Sequence, residues 1–222
     1  AGLARLGAED HLLVIGLHHI AADRWSLGIL VRELAALYAA ACRGEDAGLP
    51  QAPRMLDYAA WQHAAQGAEI ETQLAWWRQR LADAPALELP RDRRPGAAPQ
   101  AGFAPFALPD PLASRAREAA RRRGVSLYTL LLGAFALTLS RVADTDDVVL
   151  GTDVSGRGPM GTGALVGPLV NTLALRVDLS GAATLAEAQA RAEQALQETM
   201  ARQDTPLDQV VEALNPDRAP GE

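Results

Sequence analysis

The sequence contains no lysine and only one cysteine, and each shortage excludes a class of chemistry. All 21 positions that hold lysine or arginine hold arginine. Schiff-base formation, a phosphate-loop lysine and a lysine general base are therefore excluded. Cys42 has no second thiol in the chain, so an internal disulfide and a multi-thiolate metal site are excluded too, which fits a reducing compartment.

Long apolar runs and an excess of positive charge are missing as well. No uninterrupted apolar run approaches the roughly 20 residues of a membrane-spanning helix, and the N-terminus lacks a signal-peptide pattern. The net charge is −6, whereas binding to nucleic acid needs a basic face that neutralises phosphates. We therefore expect a cytoplasmic protein without a membrane or nucleic-acid partner. Because the chain starts without methionine and ends on the loop-like "NPDRAPGE", we also expect a piece of a longer protein.

The composition is that of a globular protein, and strand and helix patterns alternate along its first half. The 222 residues are 49% hydrophobic, which suits one large core or two small ones. Residues 12–17 are apolar on both alternating faces, which predicts a strand covered on both sides. From Trp25 to near Gly44, apolar residues recur at spacings of three and four and predict an amphipathic helix. Two shorter helices are predicted, one over 55–62 and one ending near Leu81.

A proline-rich segment separates this half from the rest of the chain. The stretch "PALELPRDRRPGAAPQ" has four prolines and no periodicity, so residues 85–101 are predicted to be a linker. After it, "GFAPFALP" predicts an edge strand, because Pro105 interrupts the pattern. The later elements are a charged helix over 111–123, a helix capped by Ser126 and ending near Arg141, strands in "DDVVLGTDVSGR" and over 171–177, a helix from a capping box of Thr184 and Glu187 to about Arg202, and a short helix in "TPLDQVVEAL". Such alternation predicts an α/β sandwich in two parts.

Two histidines and an aspartate lie where the first strand gives way to the first helix, in "LHHIAADRWS". Neighbouring side chains of a strand point to opposite faces, so His18 and His19 are not expected to reach one ligand together, and a two-histidine metal site is not predicted. Histidine is nevertheless the side chain best matched to proton transfer near neutral pH. Asp23 is expected to cap the helix or to pair with an arginine.

The stretch "HHIAADRWS" resembles the HHxxxDG signature of condensation domains from nonribosomal peptide synthetases. Four further stretches resemble motifs of that family in the same order: "MLDYAAWQ", "DDVVLGTDVSGR", "VGPLVNTLALR" and "RQDTPLDQVVEAL". Their order and spacing make the resemblance specific over nearly the whole chain. It implies the middle portion of such a domain, with the end of the N-terminal lobe in 1–84, the interlobe linker in 85–101 and the first part of the C-terminal lobe in 102–222.

The resemblance implies a two-lobed α/β fold like that of chloramphenicol acetyltransferase, with the histidine motif in a tunnel. An upstream donor and a downstream acceptor peptidyl carrier domain would deliver thioester-bound substrates on 4′-phosphopantetheine arms, beside an adenylation domain. The acceptor amine would attack the donor carbonyl and form an amide bond. The domain itself would bind no cofactor and no metal.

The resemblance also implies roles for individual residues. His19 is the expected catalytic residue, which orients or deprotonates the acceptor amine. His18 and Asp23 are expected to support it, with Arg157 as the partner of Asp23 and Arg141 as the reserve. The expected tunnel or gating residues are Arg24, Trp25, Ser26 and Asn171.

Arg24 departs from the family pattern, which has glycine after the aspartate. Glycine at this position would supply a positive φ angle or room beside the pantetheine arm. Either the Arg24 side chain narrows or gates the donor entrance, or it turns outward into solvent.

Other functions remain open from the sequence. One is a catalytically silent condensation-like module that docks carrier proteins or tailoring enzymes. Epimerization domains carry a Glu-Gly-His-Gly-Arg-Glu stretch where this chain has "GTDVSGR", and heterocyclization domains replace the two histidines with aspartate. A free acyltransferase of the chloramphenicol type is disfavoured by the proline-rich linker. The glycine-rich "GRGPMGTG" lacks the ending of a phosphate loop and is interpreted as a flexible connection.

Overall fold

The computed structural model describes residues 1–65, 67–90, 102–158 and 161–215. They form two compact units, one made of residues 1–71 and 153–171 and the other of residues 72–152 and those from 172 onward. Residues 91–101 of the predicted linker lie outside the described residues. The predicted boundaries at 84/85 and 101/102 therefore stay a prediction.

The described residues form four strands and seven α-helices. They are β1 (Gly2–Arg5), β2 (His11–Val14), α1 (Arg24–Arg43), α2 (Met55–Ala65), α3 (Gly67–Leu81), α4 (Asp110–Arg123), α5 (Leu127–Ala143), β3 (Asp147–Val154), β4 (Asn171–Asp178), α6 (Leu185–Met200) and α7 (Leu207–Leu214). Residues Thr162–Ala164 add one turn of 3₁₀ helix. The strands pair two by two, β1 with β2 and β3 with β4.

The first unit begins with a short antiparallel hairpin, in which Gly2 pairs with Val14 and Arg5 with His11. The predicted first strand is therefore shorter than 12–17, and all four residues of β2 are exposed. The prediction of a strand covered on both faces is wrong. An apolar sequence shows that the residues are suited to burial. A strand is buried on both faces only if other elements pack against each face.

Helix α1 has the boundaries that its sequence predicts. Asp23 is its N-cap, and Gly44 ends it in the left-handed region, at φ 68°, where glycine carries no Cβ penalty. By length and composition α1 is apolar enough to span a membrane, with mean hydropathy 1.3, and so is the bent pair of α4 and α5 if counted together. Arg32 and Glu33 interrupt α1, so it passes this test without containing an uninterrupted apolar run of that length. Core helices of water-soluble proteins have the same composition, so this property alone assigns no membrane location.

The second unit contains the hydrophobic core, in which α5 and α6 cover the sheet of β3 and β4. The core consists of Leu132, Ala136, Val148, Leu150, Leu175, Val177, Leu179, Ala188, Ala192 and Ala195. The predicted caps of these helices are confirmed. Ser126 accepts a hydrogen bond from the Thr129 backbone at 3.0 Å, and Thr184 and Glu187 form both bonds of a capping box.

The stretch "GFAPFALP", residues 102–109, is irregular and does not form the predicted strand. Pro105 and Pro109 lack a backbone N–H and cannot donate to a strand ladder. Phe103 and Phe106 are largely exposed. The alternation of apolar residues here therefore predicted a strand wrongly.

An ion pair fastens the end of α3 to the β3–β4 sheet. Arg176 on β4 donates to both carboxylate oxygens of Asp147 on β3, at 2.6 to 3.0 Å. Its Nη1 donates to the carbonyl oxygens of Arg80 and Ala82, at 3.0 and 2.7 Å. The side chains of Arg176 and Asp147 are 20% and 23% exposed, so this pair is only partly withdrawn from water.

Candidate functional site

The two histidines lie beyond β2, in an irregular segment that ends in a turn. The Nδ1 atom of His18 accepts a hydrogen bond from the Ile20 backbone at 3.1 Å, and the His18 carbonyl accepts one from Ala21 at 2.9 Å. The first bond assigns the proton of neutral His18 to Nε2. Both histidines are exposed. The expectation from alternating strand faces does not apply to them, because β2 ends four residues earlier.

Asp23 begins α1 directly after this turn and is almost completely buried, at 1% exposure. Its Oδ1 atom accepts from the Ser26 backbone at 2.8 Å and from the Ser26 hydroxyl at 2.7 Å. The first bond is an N-cap, which satisfies a backbone N–H that the helix leaves without a partner. The expected capping role of Asp23 is therefore present in the structure.

Arg157 is the arginine that pairs with Asp23, and not the reserve Arg141. Its Nη2 lies 2.9 Å from each carboxylate oxygen of Asp23. The two side chains are 2% and 0% exposed. The backbone N–H of Leu169 donates to the same carboxylate at 3.2 Å. Asp23 thus receives hydrogen bonds from both its own helix and residues far away in sequence.

These contacts decide the charge state of Asp23. Burial acts to raise the pKa of the carboxyl, but hydrogen bonds from Ser26, Arg157 and Leu169 outweigh burial and lower the pKa from 3.8 to about 2. Asp23 is therefore ionised at neutral pH, and both its oxygens are occupied by donors. It is suited to hold the start of α1 in place and unsuited to accept a proton from a substrate.

The second guanidinium nitrogen of Arg157 holds the segment that precedes β4. Nη1 lies 2.9 Å from the Thr162 carbonyl oxygen and also donates to the Leu165 carbonyl. Nη2 lies 3.1 Å from the Gly167 carbonyl oxygen. A single buried side chain therefore ties three points of this segment to Asp23.

Gly156 allows the chain to bring Arg157 to this position. Its φ is +62°, and a Cβ atom there would lie 2.0 Å from the carbonyl oxygen of Leu169. Both the backbone angle and the close approach require glycine. Leu169 is also the residue whose N–H binds Asp23, so Gly156 controls the fit of the whole cluster.

Ser26 completes the cluster from the side of α1. Its hydroxyl is fully buried and lies 3.0 Å from both the N–H and the carbonyl oxygen of Gly167. The sequence grouped Ser26 with tunnel residues, but its contacts are those of the supporting cluster around Asp23.

Trp25 lies on the outer side of the cluster. Its indole N–H donates to the Gly163 carbonyl at 3.0 Å, and the Arg157 guanidinium carbon is 5.8 Å from its ring centre. The side chain is 52% exposed. Among the four tryptophans only Trp77 is fully buried, so Trp25 offers a ring that ligands and solvent can reach.

The two remaining predicted site residues are Arg24 and Asn171. Arg24 is the first residue of α1, is exposed, and does not have a positive φ. Glycine is therefore not required at this position for backbone conformation. Asn171 begins β4 and is half-buried.

Sequence reasoning missed the acceptors that Arg157 uses. The stretch "GRGPMGTG" was expected to be a flexible connection, but Thr162 is buried and begins a turn of 3₁₀ helix. The interpretation is wrong for this end of the stretch. Backbone carbonyls carry no sequence signal, so the only available indication was a glycine directly before an arginine.

The site presents two exposed imidazoles close in sequence to a water-excluded ion pair. That of His18 accepts a hydrogen bond from the Ile20 backbone, whereas the His19 ring has no hydrogen-bond partner among the described residues. Among the described residues, no three histidine, cysteine, aspartate or glutamate side chains are placed to share a metal ion. The chemistry that the site offers is therefore that of His19 and of oriented backbone groups, held by a support that does not titrate near neutral pH.

Comparison with known proteins gives consistent matches over this chain. The family model described as "Condensation domain" matches residues 1–221. Malpibaldin synthetase from Mortierella alpina is 39% identical over 226 residues, which cover 98% of this chain and 4% of that protein. This chain thus corresponds to a small part of that synthetase.

Solved structures match in fold. The X-domain from teicoplanin biosynthesis superposes with a TM-score of 0.84 at 29% identity, over 99% of this chain and 50% of that one. A complex of the X-domain and OxyB from the same biosynthesis also matches, with a TM-score of 0.76 at 30% identity, over 89% of this chain and 46% of that one. The first condensation domain of the calcium-dependent antibiotic synthetase matches with a TM-score of 0.78 at 23% identity, over 96% of this chain and 50% of that one. The predicted fold class, a chloramphenicol-acetyltransferase-like α/β sandwich present in part, is confirmed.

Proposed function

This chain belongs to the condensation-domain family of nonribosomal peptide synthetases, and from that membership we propose that it forms the amide bond between two carrier-bound thioesters. The nitrogen of the acceptor amine attacks the donor carbonyl carbon, a C–N bond forms, and the C–S bond of the donor thioester breaks. The donor sulfur leaves as a thiolate, and the proton that the amine nitrogen gives up converts it to the thiol. His19 orients the amine or carries that proton from nitrogen to sulfur.

Magnitudes favour positioning over proton transfer as the larger contribution. Holding two reactants in line supplies roughly 7–11 kcal/mol of the barrier, whereas a positioned general base contributes about 10²- to 10⁴-fold in rate. An α-amine with a reference pKa of about 7.7–8.0 is already partly neutral at cell pH. His19 therefore serves to align the amine and to stabilise the charged intermediate as much as to remove its proton.

One observation carries the proposal: the Asp23–Arg157 cluster fixes the chain directly after the histidines, while His19 itself stays exposed. A buried carboxylate with five recorded donor contacts leaves little freedom at the start of α1. A site that must align two tethered substrates needs such a rigid support.

The partners and carried groups are also part of this proposal. Upstream and downstream peptidyl carrier domains present the two substrates on 4′-phosphopantetheine arms, and a neighbouring adenylation domain loads one of them. No cofactor is bound by the domain itself, and the reaction takes place in the cytoplasm.

The experiment is a carrier-to-carrier assay with His19→Ala in the intact synthetase. Loss of the imidazole should slow peptide formation by about 10²- to 10⁴-fold and leave the fold unchanged, because His19 is exposed. His63→Ala is the matched control, since His63 is an exposed histidine on α2. Near-normal turnover of the His19 variant would refute the assignment.

A module that only docks other proteins is the second candidate. The observation in its favour is the similarity to the X-domain that was solved in complex with OxyB. In the same reconstituted assay, binding of a loaded carrier domain without any peptide product would support docking alone.

A further inference from the structure

We propose that a polar cleft in the second unit binds the carboxylate of an acidic peptide segment from a partner protein. The cleft has a volume of about 480 Å³ and is bordered by α3, β4 and the end of α6. All its lining residues lie within the second unit. The donors that it offers come from two arginines, Arg80 on α3 and Arg202 just after α6.

Arg202 presents a guanidinium that is fixed in orientation and lacks an acidic partner among the described residues. Its guanidinium carbon lies 4.2 Å from the centre of the Trp76 ring, and its Nη1 donates to the Glu198 carbonyl at 2.8 Å. Stacking on an aromatic face holds a guanidinium in one plane and leaves its edge open to a ligand. No carboxylate of the described residues lies within salt-bridge distance of Arg202.

Arg80 supplies a second and more deeply placed donor. Its Nη2 donates to the Arg176 carbonyl at 2.8 Å, but its Nε is buried and has no partner among the described residues. Because this Nε has almost no accessible surface, a ligand in the cleft would contact the other part of the guanidinium, whose side chain is 27% exposed. The Arg80 guanidinium is therefore held by a hydrogen bond at Nη2, whereas its Nε has no acceptor among the described residues.

The side chains that line the cleft carry one net positive charge, since three arginines face Asp178 and Glu198. Arg176 is neutralised by Asp147, and Asp178 accepts from Ser180 and lies 4.0 Å from Arg191. Of the remaining lining charges, Arg80 and Arg202 are positive and Glu198 is negative. Glu198 lies 3.9 Å from Arg80, which leaves one guanidinium charge without a counterpart among the described residues.

A carboxylate fits these charges better than a phosphate dianion does. The planar edge of a guanidinium binds carboxylate oxygens in pairs, while Glu198 and Asp178 repel a second negative charge. The volume exceeds what a lone carboxylate occupies and leaves room for the side chain that carries it and for adjoining backbone. An aspartate or glutamate in an extended peptide segment meets both requirements.

The test measures binding of the capped peptide acetyl-Gly-Glu-Gly-amide to the full chain at low ionic strength, by calorimetry and by tryptophan fluorescence. We expect the glutamine analogue of this peptide to bind at least about tenfold more weakly, and Arg202→Gln to lose about tenfold in affinity. Arg78→Gln is the matched control, because Arg78 is an exposed arginine on the same helix as Arg80 and does not line the cleft. Its affinity should be unchanged.

A second variant keeps the proposal testable if Arg202→Gln fails to fold. Glu198→Gln removes the competing negative charge and should bind the acidic peptide several-fold more tightly. Equal binding of the glutamate and glutamine peptides, or no binding of either, would overturn the proposal. If acetate binds as tightly as the peptide, the ligand is a free small carboxylate, and the assignment to a partner protein is overturned.

Discussion

Two arginine–aspartate pairs, one in each unit, use the same chemical groups in different surroundings. Arg157 and Asp23 are fully buried and lie 134 positions apart in sequence. Arg176 and Asp147 are about one-fifth exposed and lie 29 positions apart. In both pairs the arginine also donates to backbone carbonyls of a neighbouring segment.

The two pairs differ in the desolvation free energy that each requires and in the part of the chain that each holds in place. A buried ion pair carries a large desolvation penalty and is rarely a net source of stability compared with apolar residues. Water still reaches the Arg176–Asp147 pair, so both its cost and its contribution are smaller. The fully buried pair is the one next to the histidines, which indicates that it is retained to position the site.

Replacing Arg157 should give the largest loss of stability. Arg157→Ala leaves the Asp23 carboxylate buried without a counter-charge, and breaking a buried pair in this way costs about 3–5 kcal/mol of unfolding free energy. Arg176→Ala should cost about 1–2 kcal/mol, between the values for exposed and buried pairs. Denaturant unfolding followed by circular dichroism measures both. Equal losses in the two variants would show that burial does not distinguish the pairs.

Gly156→Ala should destabilise the first cluster without touching its charges. The new Cβ would require a positive φ in alanine and would meet the Leu169 carbonyl, for an expected loss of about 2–4 kcal/mol. Gly158→Ala is the control, because no atom of the described residues other than its chain neighbours lies within 4 Å of its Cβ position. Thermal unfolding of the two variants provides the comparison. A Gly156 variant as stable as the Gly158 variant would contradict the close packing at Leu169.

Acid should weaken the buried pair through Asp23. The pKa of Asp23 is about 2 in the folded protein against an ordinary value of 3.8, so the unfolded state takes up the proton first as the pH falls. The stabilisation is complete above about pH 4 and is lost as the pH approaches 2, and it amounts to about 2 kcal/mol. Unfolding free energies measured across this range should fall in the wild type.

The matched variant for the acid experiment is Asp23→Asn, which has no carboxyl to titrate at this position. It should be less stable than the wild type at neutral pH and should show a shallower loss between about pH 4 and 2. Identical pH dependence in the two proteins would assign the acid sensitivity to other carboxylates.

Arg24→Gly should have the smallest effect on stability. Arg24 already has a helical backbone at the first position of α1, so glycine should change the unfolding free energy by about 1 kcal/mol or less. Any change in the rate of peptide formation then reports on access to the site and not on folding. Faster turnover would support the proposed gate, and an unchanged rate would leave Arg24 in solvent.

Local patterns predicted most of the elements in the second half of the chain. Ser126 as a cap and the capping box at Thr184 are satisfied within one helical turn, so the sequence carries their full description. The strand in 102–109 failed, because alternation of apolar residues alone does not provide the backbone donors that a strand needs.

The candidate site was predicted only in part. The Asp23 cap depends on residues three positions away, and a resemblance to a known motif indicated Arg157. The contacts of Arg157 with the carbonyls of Thr162, Leu165 and Gly167 were not predicted. Every residue has a carbonyl group, so no residue type marks the ones that an arginine will reach.

The sequence by itself determined where α1 begins and ends, which residues are able to cap it, and the family to which the chain's ordered motifs point. Only the tertiary structure decided between Arg157 and Arg141 as the partner of Asp23, that Ser26 belongs to the same cluster, and that β2 is exposed. The physical reason is range: capping and periodicity act over a few residues, whereas an ion pair between positions 23 and 157 exists only after the intervening chain has folded.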